Sequence, residues 1–165
     1  MIVYVCEGGI DYEAPTNIFH KLVIGNTLGY LLYDAIYGEV YHVHDMFMRF
    51  HHLMGIIGAF AIYYSANTGS IGVLSAIVGE ISNPFMLYRH ILKTEGKDNT
   101  AIFKFVEYTF VTLFVFNRSV IGNILIFNTW SVNNSFPILM AATGLQIVGM
   151  FWVYVIMSMV SKRLQ

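Results

Sequence analysis

Five long apolar stretches, separated by short polar connections, run through this 165-residue chain. They are Ile18 to Tyr37, Phe50 to Ala66, Ile71 to Leu92, Ile102 to Phe127 and Phe136 to Val160. A helix needs about 20 mostly apolar residues to cross the hydrocarbon core of a bilayer, and these stretches are close to that length. We therefore predict an all-α, polytopic transmembrane helix bundle of about five spans. A non-membrane segment at 1–17 precedes the membrane domain at 18–160, and a basic tail follows at 161–165.

The composition supports a membrane protein and excludes other classes. Hydrophobic residues make up 56% of the chain and charged residues 12%, whereas an ordinary soluble domain carries roughly 25% charged residues. The net charge is -1, so no strong positive field would attract nucleic acid, and we expect no nucleic-acid partner. Cys6 is the only cysteine, which excludes an intrachain disulfide and a metal centre built on several thiolates.

The placement of basic residues predicts the orientation. If the chain has five spans, seven basic residues fall on the side of the first loop, the third loop and the C-terminus. Only Lys21 falls on the other side. The seven are Arg49, Arg89, Lys93, Lys97, Lys104, Lys162 and Arg163. By the positive-inside rule, the C-terminus faces the cytoplasm or an organellar matrix. The acidic N-terminal segment, with Glu7, Asp11 and Glu13, is unlike a cleavable signal. An endoplasmic reticulum membrane and a mitochondrial inner membrane both fit this orientation.

Each apolar stretch contains at least one strongly polar or ionisable residue. They are Asp34, His51, His52, Glu80, Asn117, Arg118 and Gln146. A charged side chain within a span costs roughly 2.5 to 3.5 kcal/mol on insertion scales, and such groups normally face a bundle interior. We therefore predict that these side chains converge on one polar cavity. Glu80 and Arg118 are expected to pair directly or through a third group, either as a structural lock between helices or as part of a site.

Two local features affect this cavity. Pro84 lies four residues after Glu80, and its ring clashes with the carbonyl four positions earlier, so the third helix should kink there and leave the Glu80 carbonyl oxygen unpaired. His51 and His52 are adjacent and point about 100 degrees apart on a helix, so they cannot easily chelate one metal ion, and one can face the cavity while the other contacts a neighbouring helix or loop.

Further polar groups lie just before the histidine pair. Asp45 could orient an imidazole from the loop, where His42 and His44 complete a group of four histidines near one membrane face. The spacing matches no established zinc motif, so a polar mouth is predicted in preference to a metal site, and no cofactor is expected.

Several short motifs fall in a recognisable order. They are Gly29-Tyr30-Leu31 with Asp34, then Asp45, His51-His52, Asn67, the run Gly79-Glu80-Ile81-Ser82-Asn83-Pro84-Phe85 with Arg89, and finally Arg118, Gln146 and Trp152. In residue type, order and spacing, this set resembles the TLC-domain family, which contains the ceramide synthases and the TLC-domain-containing proteins. The resemblance covers about Gly25 to Lys162.

The resemblance implies a helical bundle around a central cavity, with structural roles for Ser82, Pro84, Phe85 and Arg89. Family members usually have six or more spans, so it also implies a chain that is shortened at its N-terminus or completed by a neighbour. Ceramide synthases have His-Asp where this chain has Gly79-Glu80, and Ser-Asp where it has Ser82-Asn83. The acyl-transfer site is therefore expected to be incomplete, with His51, His52 and Glu80 as the remaining catalytic candidates.

Three functions fit these features. The first is a non-catalytic protein that binds or regulates membrane lipid in the cavity and so contributes to lipid homeostasis. The second is a structural accessory subunit of a larger membrane complex, for example in a mitochondrial inner membrane. The third is a ceramide-synthase-type acyltransferase. The expected partners are membrane lipids and, for the second function, other membrane-protein subunits.

Overall fold

The computed structural model describes residues 5–6, 9–10 and 15–164. Two short antiparallel strands, β1 (Val5–Cys6) and β2 (Gly9–Ile10), pair Val5 with Ile10 near the N-terminus. The acidic residues Glu7, Asp11 and Glu13, on which the exclusion of a signal peptide rests, lie outside the described residues.

Helices form the rest of the fold, as predicted. They are α1 (Ile18–Val40), α2 (Met46–Tyr64), α3 (Gly69–Glu80), α4 (Asn83–Thr94), α5 (Ala101–Phe116), a π-helix (Asn117–Ile121), α6 (Gly122–Ser131) and α7 (Phe136–Leu164). The third predicted stretch corresponds to α3 and α4 together, and the fourth to α5, the π-helix and α6 in succession. The predicted all-α transmembrane bundle is confirmed.

Four helical segments are long and apolar enough to cross a membrane within the described part of the chain. They are Met46–Tyr64, Gly69–Thr94, Ala101–Ser131 and Phe136–Lys162. Helix α1, which carries Lys21, Asp34 and Glu39, is not among them. Its 23 residues nevertheless span about 34 Å, enough to cross the hydrocarbon core.

Helix α1 lies antiparallel beside α2 along most of its length. Gly25 faces the ring of Tyr63, the Leu31 side chain packs on Gly55, and Asp34 meets His52. Residue numbers rise along one helix as they fall along the other, so the two helices occupy the same depth. If α2 crosses the bilayer, α1 crosses it too, which makes the bundle one of five spans.

Helix α2 also packs antiparallel against α7 and so lies between α7 and α1. Gly58 approaches Ala141, and the Phe47 and Phe151 rings stack with their centroids 4.2 Å apart. Small residues allow such close approach in a bilayer, where helices associate through packing and polar contacts rather than through the hydrophobic effect.

The break between α3 and α4 falls at Ile81 and Ser82, and Pro84 lies in the first turn of α4. The predicted kink takes the form of a break between two helices, because a proline fits the first turn of a helix but not its interior. Ser82 is buried at the break, consistent with a structural role.

Helix α4 is fixed to α5 by a charged contact and an apolar one. Nε and Nη2 of Arg89 donate to Glu107 Oε1 at 2.9 and 2.8 Å, and the guanidinium lies 5.5 Å from the centroid of the Phe103 ring. Phe85 packs against a buried apolar cluster that includes Phe103. Arg89 and Phe85 therefore hold the two helices together.

Candidate functional site

A cavity of about 470 Å³ lies among α1, α2, α3, α4, α5 and α7 and includes the π-helix residue Arg118. Most of its wall is apolar. The polar and aromatic-polar residues that line it are Thr27, Tyr30, Asp34, His51, His52, Ser75, Glu80, Asn83, Arg118 and Trp152. Its size falls within the range of roughly 300 to 1,000 Å³ that is typical of small-molecule sites.

Polar and apolar groups occupy different levels of this cavity. Ile24 precedes Asp34 by ten residues on α1, and Ile62 follows His52 by ten residues on α2, which is about 15 Å along each helix. Ile24, Ile62 and Ile138 form one packed cluster at one level, while Asp34 and His52 meet at the other. The cavity is therefore amphipathic along the bundle axis.

The closest group of potential ligands consists of Asp34, His44 and His52. His52 Nε2 lies 3.0 Å from Asp34 Oδ2, and His44 Nε2 lies 3.6 Å from the same oxygen. The two imidazole rings are nearly parallel, at 16°, with centroids 4.7 Å apart. His52 is buried on α2, Asp34 comes from α1, and His44 comes from the connecting loop.

Asp45, which we expected to orient an imidazole, has a different role. Its carboxylate caps α2 by accepting a hydrogen bond from the backbone N–H of Met48 at 2.8 Å. A carboxylate at this position satisfies a backbone donor that has no partner within the helix. The imidazole of His52 is approached instead by Asp34.

His51 and His52 diverge, as adjacent helical residues must. The His51 ring packs against Trp152 of α7, with centroids 5.2 Å apart and planes 52° apart, and meets the His52 ring edge-on. Both histidines line the cavity, and the His51 ring in addition contacts a neighbouring helix. Nδ1 of His51 is buried and makes no hydrogen bond.

Glu80 and Arg118 both line the cavity, but no direct ion pair joins them within the described residues. Glu80 Oε2 accepts a hydrogen bond from Asn83 Nδ2 at 2.7 Å, and Arg118 Nη2 lies 3.4 Å from the carbonyl oxygen of Gly79. Asn83, the first residue of α4, lies across the break from Glu80 and occupies its carboxylate. The predicted direct pairing of Glu80 with Arg118 is therefore not seen among the described residues, and Arg118 contacts α3 through the Gly79 carbonyl oxygen.

The π-helix explains the placement of the two remaining predicted residues, Asn117 and Gln146. Gln146 Nε2 donates to the carbonyl oxygen of Arg118 at 3.0 Å and to Asn123 Oδ1 at 2.8 Å. It therefore holds the π-helix to α7 instead of lining the cavity. Asn117 is buried within the π-helix, and its Nδ2 makes no hydrogen bond. A π-helix inside a longer helix often occurs at a functional site.

The structure thus brings five of the predicted residues, Asp34, His51, His52, Glu80 and Arg118, to one cavity. Asn83, Tyr30 and Trp152 also line it but were not assigned to it from the sequence. The spacing Glu80-x-x-Asn83 could have suggested the contact of Asn83 with the carboxylate, since residues three apart are neighbours on a helix. Tyr30 and Trp152 stand among the motifs that resemble the TLC-domain family, but their types and positions did not predict that they line the cavity.

Comparison with protein families gives one result. The sequence matches the family profile described as TLC domain over residues 9–160. The chain belongs to the TLC-domain family. This agrees with the resemblance carried by the histidine pair and the Gly79–Phe85 run, and it makes the protein an integral membrane TLC-domain protein. No curated protein and no solved structure matches this TLC domain significantly.

Proposed function

We propose that this TLC-domain protein binds a membrane lipid in its cavity, without converting it chemically, and thereby regulates membrane lipid composition. The observation that carries the proposal is the amphipathic cavity. Its polar level carries donors and acceptors that a headgroup could bind. Its apolar level lies about 15 Å away along the helices, where an acyl chain could pack against the side chains of Ile24, Ile62 and Ile138. On α3 a similar spacing separates Ile71 from Glu80.

The polar level supports headgroup binding because both signs of charge face the cavity. Arg118 supplies a guanidinium, and Asp34 and Glu80 supply carboxylates. Glu80 and Arg118 are not consumed by a mutual ion pair, since each contacts another group. A polar headgroup could therefore hydrogen-bond to donors and acceptors that are already positioned.

The absence of catalysis is proposed from position 79. Ceramide synthases carry a histidine where this TLC domain has Gly79, which lines the cavity. No atom outside the local helix backbone lies within 4 Å of where a Cβ at Gly79 would stand, so the cavity wall has room for a side chain at this position. A histidine at this position could transfer protons. With glycine there, the same volume is open to a ligand.

The test is lipid analysis of the full chain purified in a mild detergent. We expect one lipid class to be enriched in the wild-type protein and most of it to be lost in Gly79→Leu, which fills the cavity. Gly29→Leu is the matched control, because a Cβ there also meets open space but Gly29 does not line the cavity. Equal lipid content in the two variants would overturn the proposal.

The same preparation distinguishes the other functions. A membrane protein that co-purifies in fixed proportion, with no lipid enriched, would favour the accessory-subunit function. Formation of an acylated long-chain base from acyl-CoA, abolished in His52→Ala, would favour the acyltransferase.

We also propose that the C-terminus faces the cytoplasm or matrix of an endoplasmic reticulum or mitochondrial inner membrane. Protease access to a C-terminal tag in sealed organelles tests this orientation.

A further inference from the structure

We propose that Asp34, His44 and His52 bind a divalent transition-metal ion, with Zn²⁺ as the best-fitting example, at the polar level of the cavity. Two imidazoles and one carboxylate are a donor set that binds such ions in proteins. The donor atoms of the three residues all lie within 4.8 Å of one another. The histidine spacing alone predicts a polar mouth here in preference to a metal site, because the three ligands come from α1, the loop and α2 without a recognised zinc motif.

The distances fit ligands that share one ion. Two ligands about 2.1 Å from a tetrahedral ion stand about 3.4 Å apart, and about 3.0 Å apart in an octahedron. Nε2 of His52 and Nε2 of His44 lie 3.0 and 3.6 Å from Asp34 Oδ2. Small movements of the side chains would therefore complete coordination, with no change in the helices.

The orientation of His52 also favours a shared ion over a simple histidine–carboxylate hydrogen bond. His52 is only 4% exposed, and its Nε2 makes no aligned hydrogen bond although Asp34 Oδ2 is 3.0 Å away. Ligands of one ion point their lone pairs at the ion and not at each other, so close but misaligned atoms are expected. An ion would satisfy a buried nitrogen that the protein leaves without a partner.

The backbone holds the third ligand in place. A Cβ at Gly38 would overlap the His44 ring, so the glycine is what allows the ring to lie against α1. His42, in the same loop, has a positive φ of 53°, which turns the chain between α1 and α2. Because Asp34 and His52 line the cavity, a fourth coordination position would be open toward it. Water or a headgroup oxygen could occupy that position.

The experiment measures Zn²⁺ bound to the full chain, purified without a histidine tag, stripped with EDTA and dialysed against buffered Zn²⁺. We expect one ion per wild-type chain by elemental mass spectrometry. His44→Asn and Asp34→Asn should each weaken binding more than the roughly 10- to 100-fold typical of outer-shell changes. The matched control, His42→Asn, should bind like the wild type, since asparagine tolerates a positive φ and His42 is not among the three ligands.

Gly38→Ala provides a second test, because it keeps all three ligands and displaces the His44 ring. We expect it to weaken Zn²⁺ binding about 10- to 100-fold, as loss of an outer-shell support does. When Co²⁺ is bound in place of Zn²⁺, its absorption spectrum should differ between Gly38→Ala and the wild-type chain. Absence of Zn²⁺ binding in the wild-type chain, or an equal loss in His42→Asn, would overturn the proposal. Gly79→Leu should lose lipid but retain Zn²⁺, so the metal site and the lipid proposal can fail separately.

Discussion

Two charged contacts between neighbouring helices differ in how completely their groups are matched. Between α4 and α5, Arg89 directs two donors at one oxygen of Glu107. Between α1 and α2, two imidazoles face a single carboxylate oxygen of Asp34, at 3.0 and 3.6 Å. The first contact is an aligned ion pair, whereas the second leaves nitrogens without aligned partners beside a cavity.

This difference indicates different roles. An aligned and partly buried ion pair fixes one helix on another, and removing one partner leaves an unpaired charge. An under-satisfied polar cluster contributes little to stability, but it can accept a ligand that completes it. We therefore expect changes at Arg89 and Glu107 to affect the free energy of unfolding, and changes at Asp34 to affect ligand binding.

The largest expected effect comes from Glu107→Leu. The side chains of Arg89 and Glu107 are 28% and 18% exposed, so the charge left on Arg89 would be poorly solvated. Loss of one partner of a buried pair costs about 3 to 5 kcal/mol, and partial exposure reduces this to about 2 to 3 kcal/mol. Unfolding by added denaturing detergent in mixed micelles, followed by circular dichroism, measures the change.

A double variant shows whether the pair itself is responsible. Arg89→Met combined with Glu107→Leu removes both charges, so it should be less destabilised than the sum of the two single variants, by about 1 to 3 kcal/mol. Strict additivity would mean that the contact does not couple α4 to α5 energetically.

An intermediate effect is expected for Gln146→Leu, which changes a structural contact that involves no ion pair. The substitution removes the hydrogen bonds to the Arg118 carbonyl and to Asn123. A buried acceptor left without a partner costs about 1 to 3 kcal/mol, and because the Arg118 contact is only partly buried we expect a cost near the lower end of that range. Gln146→Glu is the control for size, because its carboxylate cannot donate to the carbonyl, and it should destabilise the bundle at least as much.

A small effect on stability is expected for Asp34→Asn, measured in metal-free buffer. Asp34 is 32% exposed at its side chain, and Nε2 of His52, 3.0 Å from its carboxylate, makes no aligned hydrogen bond. The cost should therefore stay near or below about 1 kcal/mol, even though the same variant loses Zn²⁺. A loss as large as that of Glu107→Leu would remove the distinction between the two contacts.

The helical bundle could be predicted from the sequence, because the length and apolarity of each span are local properties of the chain. The five predicted stretches match the helical segments closely, and the break near Pro84 follows from the geometry of one ring. The sequence also predicted that five polar residues line one cavity, because exposure to lipid is unfavourable for each of them and so favours the bundle interior.

The pairings within the site could not be predicted in the same way. Asp34 lies opposite His52 because α1 and α2 are antiparallel, whereas Asp45 is nearer in sequence but is used as a helix cap. Glu80 is bound by Asn83, so the expected partner, Arg118, contacts a backbone carbonyl. Pairings of this kind depend on helix rotation and on the π-helix, which apolar periodicity does not determine.

The smallest effect on stability is expected outside the membrane, at the contact between Lys97 and Glu95. This contact is aligned but exposed to solvent, unlike the contact between Arg89 and Glu107. Lys97 Nζ lies 2.7 Å from Glu95 Oε2, and this hydrogen bond raises the pKa of Lys97 above its usual value. A raised lysine pKa contributes stability below the unfolded pKa, and that contribution is lost as the pH rises through the folded pKa. Glu95→Gln should therefore lower the pKa of Lys97, as measured by NMR of its side chain, and leave the unfolding transition at neutral pH unchanged, since exposed pairs contribute little. A shifted transition at neutral pH would mean that alignment of two charges, without burial, is enough to stabilise this bundle.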